Sequence, residues 1–145
     1  MSRITATLAL TFAALASTVP AAPAVSPAVS PAPDGDHLTV TVAHTGDPAL
    51  DGTYELYCHP AAGDHPDPRA ACARLDKATG WGKDPFAPVP PNTPCTKQYG
   101  GPATAHVTGR WAGRPVDARY DRTDGCEISR WNDLEPFLPA TNSVR

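Results

Sequence analysis

Little in this chain suits enzyme chemistry. Beyond residue 24 the serines are Ser26, Ser30, Ser129 and Ser143, and none lies in a G-x-S-x-G turn that would expose a nucleophile. Glutamate occurs at 55, 127 and 135, too scattered to nominate an acid and base pair. No two cysteines make a C-x-x-C, and the histidines at 37, 44, 59, 65 and 106 lack ligand spacing. Asp64, Asp67, Asp84 and Asp124 each adjoin proline or glycine, where turn and cap roles account for them. Catalysis is not expected, nor a metal or other cofactor.

Positive charge is also in short supply. The formal net charge is −3, which gives no support to a nucleic-acid or acidic-membrane partner. One long apolar run exists, from Ile4 to Ala16, and it is shorter than the roughly 20 residues that span a bilayer. Arg3 precedes it and the small residues Ala21, Ala22 and Ala24 follow, the three-part pattern of a secretory signal peptide over residues 1–24. Removing Arg3 with it takes the net charge to −4. Residues 25–35 repeat alanine, valine and serine with proline, which reads as a flexible or extended tail. The folded domain is expected over 36–145, in an exported protein free of the membrane once the signal is gone.

An exported chain meets an oxidising compartment, so Cys58, Cys72, Cys95 and Cys126 are expected as two disulfides. Spacing leaves three connectivities open. Nearest-neighbour pairing would close loops worth about 3–4 kcal/mol each in the chain-entropy treatment.

Apolar and polar residues alternate over 37–44, and 53–58 forms a second candidate strand. Residues 103–111 and 115–122 make a third and fourth, joined by Ala112-Gly113 as a hairpin link. Asp67 and Pro68 supply the cap and first turn of a helix whose face carries Ala71, Cys72, Leu75 and Ala78, with Gly80 as its stop. A shorter helix over 126–134 aligns Ile128, Trp131 and Leu134 and ends before Pro136. The expected class is α+β, an antiparallel sheet of four to five strands with one wet face, packed against two helices.

Residues 81–102 are crowded with proline and glycine and read as ordered coil, a length that usually has a job in a compact domain. Within them, Pro94-Cys-Thr-Lys-Gln-Tyr-Gly100 places one long basic side chain two residues after a cysteine. Pro94 biases Thr93 toward extended backbone, and a disulfide at Cys95 would limit how far the loop sways. An extended, tethered peptide presenting one basic side chain is what a protease cleft accepts as substrate. If the bond after Lys97 is cut, the tether is expected to hold the new ends together and favour resealing.

These residues carry a family resemblance. From Asp36 to Cys126 the chain resembles the Streptomyces-type subtilisin inhibitors, most specifically in Ala70-Ala-Cys-Ala-Arg-Leu75, Cys95-Thr-Lys-Gln-Tyr99 and Val107-Thr-Gly-Arg-Trp-Ala-Gly113, with Arg119-Tyr120. The resemblance implies an antiparallel sheet with two helices, disulfides Cys58–Cys72 and Cys95–Cys126, a homodimer, and inhibition of secreted serine proteases. It places the reactive bond at Lys97–Gln98, with Pro94, Cys95, Thr96, Tyr99 and Gly100 in the protease-binding loop. A lysine at that position points to trypsin-like targets, whose pocket floor carries an aspartate, and to subtilisin-like enzymes, whose wider pocket accepts its aliphatic stem.

Two departures follow. Gly100-Gly101 before Pro102 inserts one residue relative to the family pattern and is expected to loosen the exit side of the loop. Residues 131–139 read as helix and proline-broken tail where family members return a short final strand. The alternative function is a secreted binding module on the same scaffold, with Trp81, Trp111 and Trp131 as its patch.

Overall fold

A computed structural model describes residues 35–141. The expected signal, nearly all of the proline-rich tail, and residues 142–145 lie outside the described residues. Five antiparallel strands form one sheet: β1 (Asp36–Ala43), β2 (Gly52–Cys58), β3 (Ala62–Gly63), β4 (Thr104–Trp111) and β5 (Arg114–Tyr120), in the order β3-β2-β1-β4-β5. Two helices, α1 (Pro68–Ala78) and α2 (Gly125–Asn132), cover one face.

The period-two alternation sets this arrangement. Leu38, Val40 and Val42 of β1 all point into the core, and β1 is central, with Val40 opposite Tyr54 on one side and Val107 on the other. Burying an aliphatic side chain of that size contributes roughly 1.5–3 kcal/mol. Ala105, Val107 and Trp111 of β4 and Val116, Ala118 and Tyr120 of β5 continue the same layer.

Asp67 caps α1 by accepting from the Ala70 N–H at 3.0 Å, and Pro68 fills the first turn. The helix stops at Thr79, one residue ahead of Gly80, because Thr79 turns extended and its hydroxyl donates to the Leu75 carbonyl at 2.7 Å. The same hydroxyl accepts from Trp111 Nε1 at 2.8 Å. Ala71, Cys72 and Leu75 form the buried face, and the Cys58–Cys72 disulfide ties α1 to β2.

The additional strand is the two-residue β3 at the β2 edge, and no strand returns in the expected helix-and-tail segment 131–139. Two boundaries are corrected. The second helix begins at Gly125, with Asp124 accepting from the N–H groups of Cys126 and Glu127. It ends at Asn132, since Leu134 and Glu135 donate three residues back and tighten the chain into turns. Those turns bury Leu134, Phe137 and Leu138 beside Trp131. β5, expected over 115–122, stops at Tyr120 because the Asp121 carboxylate captures the Thr123 N–H and hydroxyl, turning the chain out of the sheet.

Candidate functional site

The long connection from α1 to β4 is fastened in stages. Gly80 and Lys83 exchange backbone hydrogen bonds. Arg130 Nε then donates to the Ala87 carbonyl and the Tyr120 hydroxyl to the Pro85 carbonyl, both at 2.9 Å. The Arg130 guanidinium covers the Tyr120 ring at 4.0 Å, and burial pushes the Tyr120 hydroxyl pKa upward. A turn closes from Thr93 N–H to the Pro90 carbonyl, with Pro91 and Asn92 at its centre. Beyond it, from Thr93 to Gly101, no turn or bend interrupts the chain.

This stretch is pinned on both flanks and bare in between. On the entry flank Cys95 bonds Cys126 of α2 with 5.4 Å between their Cα atoms, and the Thr96 carbonyl accepts from the Gly125 N–H at 3.0 Å. On the exit flank the Gly100 N–H donates to the Arg122 carbonyl at 2.8 Å, and Arg122 Nε donates to the Gly100 carbonyl at 3.1 Å. Gly100 is therefore clamped at both backbone groups, and the expected loosening is absent there. A Cβ on Gly100 would lie 2.8 Å from Ile128 Cγ1 and 3.0 Å from Arg122 Nε, so a side chain here would force those groups to shift.

Between the clamps Lys97, Gln98 and Tyr99 are exposed, as are Pro94 and Thr96, while Cys95 and Gly100 are half-buried. Among the described residues, no hydrogen bond joins the backbone of Lys97, Gln98 or Tyr99 to any other group, and Lys97 has no ion-pair partner. The result is a short turn-free segment whose backbone N–H and C=O groups at 97–99 carry no hydrogen bond among the described residues, fixed at both flanks before any partner arrives. Such a segment can pair with the edge of another protein and offer one side chain to a pocket.

Arg122, Gly125 and Ile128 were not among the sequence candidates, yet they build the support. Arg122 had a usable signal: it continues the parity of Val116, Ala118 and Tyr120, and it is buried to 1% exposure. Gly125 and Thr96 lie 29 residues apart, and the one signal that could have joined them is the implied Cys95–Cys126 disulfide, whose cysteines adjoin both.

The other readings find less here. Cys95, Asp124 and Cys126 come within ligand distance of one another, but both sulfurs are in the disulfide and the carboxylate caps α2. Ser129 donates its hydroxyl back to the Gly125 carbonyl. The tryptophans make no patch: Trp81 is fully exposed, whereas Trp111 and Trp131 are core residues.

Residues 32–123 match the family described as "Subtilisin inhibitor-like". Subtilisin inhibitor-like protein 1 of Streptomyces cacaoi is 34% identical over 104 residues, covering 68% of this chain and 90% of that protein. Protease inhibitor SIL-V2 of Streptomyces orinoci is 35% identical over 95 residues, 65% of this chain and 84% of that one. Among solved structures, that of Streptomyces caespitosus sermetstatin in complex with Bacillus licheniformis subtilisin matches at 29% identity, covering 70% of this chain and 96% of that chain, with a TM-score of 0.39.

Proposed function

The chain belongs to the subtilisin inhibitor-like family, and from that premise we propose that it is a secreted inhibitor of serine proteases with Lys97–Gln98 as its reactive bond. The relatives are inhibitors and the chain is not an enzyme. The observation that carries the reading is a bare Lys97 on a backbone clamped at Thr96 and Gly100.

Ordering is the larger part of the argument. Fixing a residue's backbone costs about 1–2 kcal/mol, so six residues from 94 to 99 would cost on the order of 6–12 kcal/mol if ordered only on binding. Each 1.4 kcal/mol is about tenfold in affinity. A strand held beforehand avoids most of that cost. Lys97 then selects the target. Its ammonium meets an aspartate at the floor of a trypsin-like pocket in a desolvated site, and its stem alone contacts a subtilisin-like pocket. Inhibition of trypsin-like enzymes is the stronger of the two.

The same proposal has residues 1–24 removed on export and the mature protein acting outside the cell as a homodimer. No helix among the described residues is long and apolar enough to cross a membrane. The sheet face turned away from the helices is open to a second copy; it carries Thr39, Thr41, Thr53 and the paired His37–Glu55 and His106–Asp117. Sedimentation of the mature protein tests the dimer.

Titration of trypsin and subtilisin with the mature protein tests the function. Stoichiometric loss of protease activity is expected, with slow single cleavage between Lys97 and Gln98 seen by mass spectrometry. Rapid digestion into many fragments would favour a binding module instead.

A further inference from the structure

We propose that Arg122 is the positioning residue that keeps Gln98 in place when the reactive bond is cut, so that it, and not the disulfide, governs how readily the bond reseals. This rests on the inhibitor reading above. Hydrolysis breaks the bond between the Lys97 carbonyl carbon and the Gln98 nitrogen. Water's hydroxyl joins the carbonyl carbon and a proton joins the nitrogen; resealing expels the same water. For resealing, the Gln98 amine must remain beside the Lys97 carbonyl.

The two sides of the bond are held by different devices. Cys95–Cys126 and the Thr96 to Gly125 hydrogen bond both act before the cut, on the Lys97 side. After the cut, the first fixed point on the Gln98 side is Gly100, whose hydrogen bonds among the described residues both go to Arg122: the Arg122 carbonyl takes the Gly100 N–H and its Nε gives to the Gly100 carbonyl. Arg122 is itself immobilised. Its Nη1 donates to Asn132 Oδ1 at 2.7 Å, and its guanidinium lies 5.8 Å from the Trp131 ring centre.

Without that clamp the next buried anchor is Ala103. The reach of the amine is set by chain length at about 3.3–3.6 Å per residue. With Gly100 fixed, two residues allow a swing of roughly 7 Å; with the next anchor at Ala103, five residues allow roughly 17 Å. The volume searched rises by more than tenfold, and the effective concentration of the amine falls by about the same factor. Gly101, at φ +105°, lies within the freed stretch and would act as its hinge.

The test incubates the mature protein with catalytic trypsin at neutral pH, from intact and from cleaved material, until both reach one ratio of cleaved to intact chains. Gly100→Ala, whose Cβ would crowd Ile128 and Arg122 Nε and displace both bonds of the clamp, is expected to raise that ratio about tenfold; Arg122→Met, which removes the Nε donor and leaves the Gly100 N–H on the main-chain carbonyl at 122, is expected to raise it severalfold. Arg122→Lys, retaining a donor, falls between Arg122→Met and the parent. A ratio in Arg122→Met and Gly100→Ala equal to the parent's overturns the proposal. Should Arg122→Met be cut at many sites through failure to fold, Gly100→Ala and Arg122→Lys decide it. If the parent is neither inhibitory nor cut at Lys97–Gln98, the inhibitor reading itself fails, a result distinct from an unchanged ratio.

Discussion

Gly125 donates its N–H to the Thr96 carbonyl at 3.0 Å, and a Cβ built on Gly125 would fall 2.1 Å from Thr96 Oγ1. The first turn of α2 and the loop thus meet with no room for a methyl group. Gly125→Ala is expected to push the loop off its support, at about 1–3 kcal/mol for overpacking a close contact. Trypsin inhibition should weaken roughly 10- to 100-fold, since 1.4 kcal/mol is about tenfold. Inhibition constants with a parallel urea melt check this; equal affinity in a folded Gly125→Ala would show that the contact does not position the loop.

On the proposed reading, charge at position 97 sets the target. Lys97→Glu places a carboxylate against the aspartate of a trypsin-like pocket, where an unpaired buried charge costs about 2–5 kcal/mol. Trypsin inhibition should fall at least 30-fold, while subtilisin inhibition falls less. A side chain this exposed leaves the fold alone, so the thermal midpoint should not move. Equal inhibition of trypsin by both forms would remove Lys97 from the interface.

His59 couples stability to pH. Its imidazole lies between Asp76, 3.1 Å from Nε2, and Asp36, 2.9 Å from Nδ1. The hydrogen bond to Asp76 raises its pKa above the ordinary histidine value, Asp36 adds to this, and burial opposes it. A folded pKa above the unfolded one makes the contribution complete below about pH 6.5, and it is lost as pH rises through the folded value. Asp51, through hydrogen bonds from Thr45, and Asp117, through His106, are held below the usual carboxylate range. Their contributions are present above about pH 3.9 and vanish as pH falls through their folded values. The thermal midpoint should plateau between about pH 4.5 and 6. Calorimetry of His59→Gln should show the same acid limb with a flatter neutral one; an unaltered slope from pH 6 to 8 would deny His59 this role.

The tryptophans divide by burial. Trp131 is fully buried and its Nε1 donates to the Pro139 carbonyl at 2.9 Å, so Trp131→Ala should cost about 3–5 kcal/mol. Trp81 stands free on its turn, and Trp81→Ala should stay within about 0.5 kcal/mol. Urea melts separate the two, and a large loss at Trp81 would mean that it packs against something in solution.

Local chemistry was the legible part. Alternation at 37–44 marks β1, the Asp67-Pro68 start marks α1, and Ala112-Gly113 marks the hairpin, which the structure closes with both residues at positive φ. Each of these depends on neighbours in the chain, so a short window carries it. The lysine loop was legible for the same reason, as proline, cysteine and glycine crowded around one cation. Its supports were not. Thr96 with Gly125 and Gly100 with Arg122 are pairs separated by more than 20 residues, joined only after β5 ends and Asp121 turns the chain. Gly100 shows the difference most plainly: as a residue type it implies looseness, while in place it is held at both backbone groups and the space beside it already belongs to Ile128. Residue order thus marked out the exposed lysine segment. Whether that segment is rigid depended on how distant pieces close around it, since a clamp needs two surfaces and the chain supplies the second one only by folding back.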